Sequence, residues 1–497
     1  MTGTASKERE RVIDHFHTVV IGAGSGGLTV AYGLASLGKP VALIEARHVG
    51  GDCTNTGCIP SKTLIHFAGR GDDDADAVLA GVRRKRDALR DRETREFGAV
   101  ANLSLISGRA RLVSPQRVAV TLPDGGERVL TTRNIVIATG ARPRMIAIPG
   151  LPAERAVTSE RIFEIDAAPR HLAIIGGGAI GVELAFAFRD LGSQVSIVDI
   201  APRVLIRYLP EVSRVIEESL RAKGIARYLN ARTHSYDASA QILRVEHAGG
   251  IALLHAVDYV LIAVGRERNV EGLGLETVGV RFSPQAGIET DAYGRTNVRH
   301  IYAVGDVTAT SAFTHSANAQ GRRVVQQIAF PWLPLRTPEP FYPEIVFSNP
   351  EVATTGMKPQ QIAQRYHPGL VKRIHIDLAT QTDRGYTDEV RHGFIIVEAL
   401  RLTGRILGAT IVAPKASEMI SFFTLAIQEG ISMYRLYRTV YPYPTFSGGI
   451  QKAADIFLRD TLTDLRGELG AYLRYRWFRR RGAASFAGAI DRQARQS

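Results

Sequence analysis

Two segments of this 497-residue chain repeat one plan at one spacing. The first reads Val19-Val20-Ile21-Gly22-Ala23-Gly24-Ser25-Gly26-Gly27, continues as an apolar-periodic helix to Leu37, and ends in Val41-Ala42-Leu43-Ile44-Glu45. The second reads Leu172-Ala173-Ile174-Ile175-Gly176-Gly177-Gly178-Ala179-Ile180-Gly181, continues to Leu191, and ends in Val195-Ser196-Ile197-Val198-Asp199. First glycine and closing acid stand 23 residues apart in both copies, Gly22 to Glu45 and Gly176 to Asp199. A lone G-x-G-x-x-G says little. Between a strand and a helix, with an acid closing the next strand, it reads as a dinucleotide-binding βαβ unit. Gly22 and Gly176 make the tight turn, and Gly24 and Gly178 let backbone amides approach a pyrophosphate. Gly27 and Gly181 let the helix pack on the strands, and Glu45 and Asp199 receive ribose hydroxyls. The chain is therefore expected to be α/β, with two Rossmann-like dinucleotide-binding domains.

Both cysteines of the chain lie just after the first copy, in Gly50-Gly51-Asp52-Cys53-Thr54-Asn55-Thr56-Gly57-Cys58-Ile59-Pro60-Ser61-Lys62. A thiol pair at a helix N-terminus feels a positive potential that favours thiolate, which points to redox chemistry. No metal is expected, because zinc normally takes four ligands and no histidine stands at a matching spacing. The nucleotide of the first copy should carry the redox group that faces the sulfurs, and a flavin fits. In the second copy Asp199 repels a 2′-phosphate, which favours NAD(H) over NADP(H), with Arg203 and Arg207 just beyond acting partly against this. Two further apolar runs end in turns that bring backbone close to a cofactor, at Thr139-Gly140 and at Gly265-Arg266. Asp306, after the buried run from Ile301, suits a hydrogen bond to a polyol such as a ribityl chain. Thr314-His315-Ser316 are expected just ahead of a helix from about Ala317 to Ala329, whose N-terminus would stabilise negative charge on a reduced flavin.

No apolar run approaches the ~20 residues that span a bilayer. The stretch up to His17 is polar and lacks the apolar core of an export signal, so a reducing cytoplasm is expected, where a disulfide is more often catalytic than structural. The net charge of +13 is carried mostly by arginine, with clusters at Arg83-Arg84-Lys85-Arg86 and at Arg474-Tyr475-Arg476-Trp477-Phe478-Arg479-Arg480-Arg481. The first reads as a solvated helix face and not as a nucleic-acid surface. The second reads either as a solvated extension or as peripheral contact with an anionic membrane surface.

Taken in order, these motifs resemble the pyridine nucleotide-disulfide oxidoreductases, the family of dihydrolipoamide dehydrogenase, glutathione reductase and mercuric reductase. The resemblance covers roughly residues 16 to 457 and includes the Cys-x4-Cys-x-Pro-Ser-Lys segment, Ala-Thr-Gly, Ala-Val-Gly-Arg, Gly-Asp, Val346-Phe347-Ser348-Asn349-Pro350-Glu351-Val352-Ala353 and Gly404-Arg405-Ile406-Leu407-Gly408-Ala409. It implies FAD and NAD(H) as cofactors, a C-terminal α+β dimerisation domain and a homodimer. The implied division is 14–157 and 285–338 for FAD, 158–284 for the pyridine nucleotide, 339–460 for dimerisation, and 461–497 as a basic extension. By the same resemblance Cys58 is the thiolate beside the flavin and Cys53 the thiol that meets the acceptor. Lys62 and Glu183 match the family's lysine and glutamate near the flavin N5.

The pattern breaks near the C-terminus. Where disulfide-reducing members carry a His and a Glu as an acid–base dyad, this chain has Tyr443 and Gly448. A phenol with a pKa of about 10 shuttles protons poorly at neutral pH. Mercuric reductases likewise carry a tyrosine there, but they also use a C-terminal cysteine pair that this chain lacks. Tyr443 reads equally as a packed interface aromatic or as a group facing the acceptor. The leading expectation is an NADH-dependent flavoprotein passing electrons to a disulfide and on to an unidentified small-molecule acceptor. The alternatives are a soft-metal reductase, a dihydrolipoamide dehydrogenase-type disulfide reductase, and a redox-sensing flavoprotein at a membrane surface.

Overall fold

The structure, a computed structural model, describes residues 13–71, 74–308, 313–333 and 341–476. They fall into two compact units, one drawn from Met1–Pro202 and Ile225–Arg336, the other from Arg203–Gly224 and Thr337–Ser497. Both glycine loops belong to the first unit.

The first copy folds as β1 (Ile13–Ile21), α1 (Ser25–Ser36) and β2 (Val41–Glu45), with β1 beginning well before the apolar run that announces it. Then come α2 (Gly51–Asn55), α3 (Cys58–Ala68) and the long α4 (Ala75–Gly98), followed by β3 (Leu103–Ser107), β4 (Arg109–Ser114), β5 (Arg117–Thr121) and β6 (Glu127–Ile137). The sheet order is β3-β2-β1-β6-β5-β4, with β1 parallel to both β2 and β6. Successive residues of a strand point to opposite faces, and both faces of a parallel sheet are covered. That is why residues 19–21 of β1 and 41–44 of β2 read as unbroken apolar runs. Val20 and Leu43 pack with Val30 and Leu34 of α1, while Val19, Ile21 and Ile44 join the core on the other face.

The second copy is built on β7 (Ala156–Val157), β8 (His171–Ile175), α5 (Ala179–Asp190), β9 (Gln194–Val198), β10 (Ala226–Tyr228) and β11 (Tyr259–Ile262). Its sheet runs β10-β9-β8-β11-β7, parallel throughout. The chain then returns to the first sheet, where β12 (Ile301–Ala303) pairs with β6. Next comes α6 (Thr314–Ala329), which starts three residues earlier than its sequence suggested. Phe313 is extended and its carbonyl accepts from Ala317 N at 3.0 Å, so Thr314, His315 and Ser316 form the first turn and do not precede it. A short ladder ties α6 to α1. Ser25 Oγ donates to Thr314 O at 3.1 Å, and Asn318 Nδ2 donates to Thr29 Oγ1 at 2.8 Å.

The Arg83–Arg86 cluster is only half solvated. Arg84 and Lys85 are exposed, but Arg83 donates to Ile165 O at 2.9 Å and Arg86 is buried against Asp87 and Glu164. On a helix, positions 83 and 86 share a face that 84 and 85 do not, so one run of charge serves two environments.

The second unit is an antiparallel sheet with helices. Its strands are β13 (Glu344–Val346), β14 (Glu351–Gly356), β15 (Val371–Asp377), β16 (Phe394–Leu400) and β17 (Ile406–Ala413), in the order β13-β14-β17-β16-β15. Ile395, Val397 and Ile411 of the sheet meet Met419, Ile420 and Phe423 of α7 (Ala416–Gln428). Ile450, Ala454 and Phe457 of α8 (Gly448–Thr463) close the same core. A last helix, α9 (Leu465–Arg476), follows. Phe422, Leu425, Val440 and Tyr443 leave apolar surface exposed on this unit. Among the described residues no helix is long and apolar enough to cross a membrane.

The two glycine loops share their steric logic. Gly22 and Gly176 have φ of 103° and 114°. A Cβ on Gly27 or Gly181 would stand 1.9 or 2.0 Å from the carbonyl oxygen of Gly22 or Gly176, whereas one on Gly178 would meet nothing within 4 Å. Gly181→Ala should therefore cost about 1–3 kcal/mol by overpacking and lower the melting temperature. Gly178→Ala should leave melting unchanged. If this loop takes the NADH pyrophosphate, as its sequence leads one to expect, the variant should weaken NADH binding, because the methyl enters open space at the loop. Calorimetry and a binding titration on the two variants separate the two effects, and equal melting losses would refute the distinction.

Candidate active site

The glycine loops end at their acids. Glu45 accepts from Ala23 N and Arg47 N, each at 2.7 Å, and Asp199 accepts from Gly177 N at 2.5 Å and Ala201 N at 2.8 Å. Each carboxylate is thus held at the mouth of its loop by a backbone amide, the position from which it can also receive ribose hydroxyls. Arg203, weighed above as a partner for a 2′-phosphate, donates to the carbonyls of Ile206 and Tyr208, each at 3.0 Å, and to Ser213 Oγ.

Cys53 sits in α2 and Cys58 is the first residue of α3, and both thiols are free. Cys58 Sγ lies 3.3 Å from the hydroxyl of Thr314, the first residue of α6. One turn along α3, Lys62 Nζ forms an ion pair with Glu183 Oε2 of α5 at 2.7 Å. The two thiols share one proton. Hydrogen bonding from Cys53 draws Cys58 down to about 6 against the opposing effect of burial, with further help from the Thr314 hydroxyl and the Lys62 charge. Cys53 is pushed up, first by its hydrogen bond to Cys58 and then by burial. Negative charge therefore settles on Cys58 and the proton on Cys53.

Asp52, next to Cys53, pairs with Arg266, which also donates to Ala141 O at 2.6 Å and approaches Asp306 Oδ2 at 3.6 Å. Burial raises the Asp306 carboxyl, Arg266 opposes this, and Asp52 adds to it. Thr139 and Asn269 exchange hydrogen bonds, Thr139 Oγ1 to Asn269 O at 2.8 Å and Asn269 Nδ2 to Thr139 O at 2.9 Å. Gly140 and Gly265 both have positive φ and nothing within 4 Å of a Cβ position, so both turns stay open to a ligand. His315 is exposed and its ring stacks on Phe313 at 5.4 Å. Tyr443 belongs to the second unit, where it is exposed and its hydroxyl, bonded to Asp383, is raised further.

Cys53 also lines a groove of about 570 Å³, with Leu28 and Tyr32 of α1, Glu93 and Phe97 of α4, and Asn318 of α6 among its walls. Glu93 is a residue that sequence reasoning missed. Its carboxylate accepts from Thr54 Oγ1 at 2.9 Å, and a Cβ on Gly50 would stand 2.5 Å from it. Nothing in the sequence marks it out, because α4 carries charges on every side. Asp52 and Arg266 did carry a signal, since each adjoins a motif already singled out. Among the described residues no group of three or more His, Cys, Asp or Glu is placed to hold a metal ion.

A family profile described as pyridine nucleotide-disulphide oxidoreductase matches residues 16–321, and that family's dimerisation domain matches residues 342–454. The chain belongs to the pyridine nucleotide-disulphide oxidoreductases. It is similar to the dihydrolipoyl dehydrogenase of Chlamydia trachomatis, 33% identical over 457 residues, which covers 87% of this chain and 94% of that one. Among solved structures it resembles the Cu(II) complex of the HOCl-induced flavoprotein disulfide reductase RclA from Escherichia coli, with a TM-score of 0.81 at 26% identity over 89% of this chain and all of the other. It also resembles LpdA from Mycobacterium tuberculosis, with a TM-score of 0.81 at 28% identity, covering 88% of this chain and 99% of that one. The protein is a flavin-dependent oxidoreductase of this family, with FAD and NAD(H) as cofactors, and the dimerisation domain supports a homodimer. The loops fit both groups, with open space over Gly178, only an ordinary contact over Gly24, and an acid at each mouth.

The thiol balance sets a pH dependence. In the two-electron-reduced holoenzyme the long-wavelength thiolate-to-flavin absorbance should be full at neutral pH and fade as pH falls through about 6, where Cys58 takes up a proton. Lys62→Met should move that midpoint upward by removing a stabilising cation. An unchanged midpoint would mean that Lys62 does not act on the sulfur.

Proposed function

We propose that the chain passes electrons from NADH through FAD to the Cys53–Cys58 pair, and from Cys53 to a small disulfide that enters the adjoining groove. The observation that carries this reading is the division of labour between the thiols. Cys53 lines the groove and holds the proton, whereas Cys58 holds the charge beside Thr314 and one turn from Lys62. Bound FAD would supply hydride acceptance from NADH and reduction of the disulfide. Once deprotonated, Cys53 attacks the substrate disulfide, forming a mixed disulfide and releasing one thiolate, which takes up the proton. Cys58 thiolate then attacks Cys53 Sγ, closing the Cys53–Cys58 bond and releasing the second thiolate, which takes its proton from water. Glu183, buried and ion-paired, holds the Lys62 cation within reach of this sulfur.

The break at Tyr443 and Gly448 bears on rate. Neither residue supplies an imidazole, and Asp383 raises the phenol further from neutrality, so the leaving thiolate takes its proton from water. A soft metal ion is a second reading, because it needs no proton, and the neighbouring RclA structure is a Cu(II) complex. Three measurements separate these readings. Anaerobic titration of the holoenzyme with NADH should produce the thiolate band, which Cys58→Ser abolishes and Cys53→Ser keeps. Lipoamide turnover should fall about 10²–10⁴-fold below that of a relative bearing the His–Glu dyad. Copper(II) turnover at a rate well above that with disulfides would favour the second reading. A single stoichiometric reduction, with no turnover on any acceptor, would overturn both and leave a redox sensor.

A further inference from the structure

The last helix is amphipathic the wrong way round. A surface helix normally turns its apolar stripe to the core and its charges to water. In α9 it is Glu468 that faces in, buried, with Oε1 2.6 Å from Lys372 Nζ and 2.7 Å from an Arg401 guanidinium nitrogen. Two turns further on, the Tyr475 ring stacks on His367 at 4.0 Å and covers Gly369, where a Cβ would stand 2.4 Å from the ring. Positions 468 and 475 lie seven apart on one helix face, and that face is anchored. The leucines point away from it. Leu465, Leu469 and Leu473 recur every four residues and, with Leu462, are 46–63% exposed. An ion pair and an aromatic stack thus hold the helix with its greasy side outward.

The charge around that stripe is one-sided. Asp464 and Glu468 are the only acids between Leu462 and Arg481, and Glu468 is already paired. The same stretch carries Arg466, Arg474, Arg476, Arg479, Arg480 and Arg481, with Trp477 and Phe478 among them. Trp477 and the residues after it lie outside the described structure and enter here as sequence alone. Leucines flanked by arginines are what a helix needs to lie in a lipid interface, with the apolar side at acyl depth and guanidinium groups at anionic headgroups. A second copy is a poorer occupant, because a two-fold contact through this face would set the arginines of one chain against those of the other. The family's dimerisation match also ends at residue 454, before α9 begins.

We propose that the leucine face of α9, flanked by the exposed Arg466 and Arg474, docks the enzyme on an anionic lipid bilayer. This goes beyond the electron path and does not depend on which acceptor is used. The test is co-sedimentation of the full-length FAD-loaded protein with phosphatidylcholine vesicles, with and without roughly a third of phosphatidylglycerol. The wild type should sediment with the anionic vesicles only, and less so as salt rises. Leu465→Ser, and separately Leu469→Ser with Leu473→Ser, should weaken binding at least about tenfold, with flavin content and NADH oxidation unchanged as proof of folding. Failure of the wild type to bind anionic vesicles would overturn the proposal. So would leucine variants that bind as the wild type does, which would leave only diffuse attraction by arginine. If the leucine variants alter the oligomeric mass instead, the face is a subunit contact and the proposal is wrong.

Discussion

The ion pair between Lys62 and Glu183 ties the two nucleotide folds of the first unit together beside the thiols. Lys62 comes from the helix that begins with Cys58, and Glu183 from the helix that opens on the second glycine loop. Burying the Glu183 carboxylate is costly unless a cation meets it, and stripping a partner from a buried pair costs about 3–5 kcal/mol. The pair therefore fixes how α3 lies against α5. It also places a positive charge one turn from the Cys58 sulfur. Packing of the folds and the electrical setting of the thiol are consequences of the same contact.

Much of this was legible beforehand because glycine loops impose hard geometry. The 23-residue spacing from Gly22 to Glu45 and from Gly176 to Asp199 leaves room for one strand, one helix and one turn, and those elements appear at nearly the expected positions. The start of α6 was less legible. Thr314, His315 and Ser316 look like a loop by composition, and tertiary contacts, with Ser25 bonded to the Thr314 carbonyl, accompany their helical turn. Glu93 was invisible for a different reason. Its meaning comes from Thr54 and Gly50, some forty residues away in sequence, and a charged helix hides a carboxylate that lines the groove among solvated ones.

The basic clusters show the same limit from the other side. Counting arginines in the Arg83–Arg86 run could not say that Arg83 and Arg86 point inward to carbonyls and carboxylates while their neighbours meet water. Charge runs are one-dimensional, and a helix sorts them by angle. For α9 the sorting reverses the usual expectation, and only the structure reveals that Glu468 and not the leucines forms the anchor.

The exposed apolar side chains of the second unit, Phe422, Leu425, Val440 and Tyr443, bear on how the protein should be handled. For a homodimer whose partner buries such a surface, association is a binding equilibrium linked to folding, so apparent stability rises with protein concentration by mass action. Dilution then acts as a mild denaturant. Heat resistance and activity measured at low concentration would describe a different population from that in a concentrated solution of the same chain.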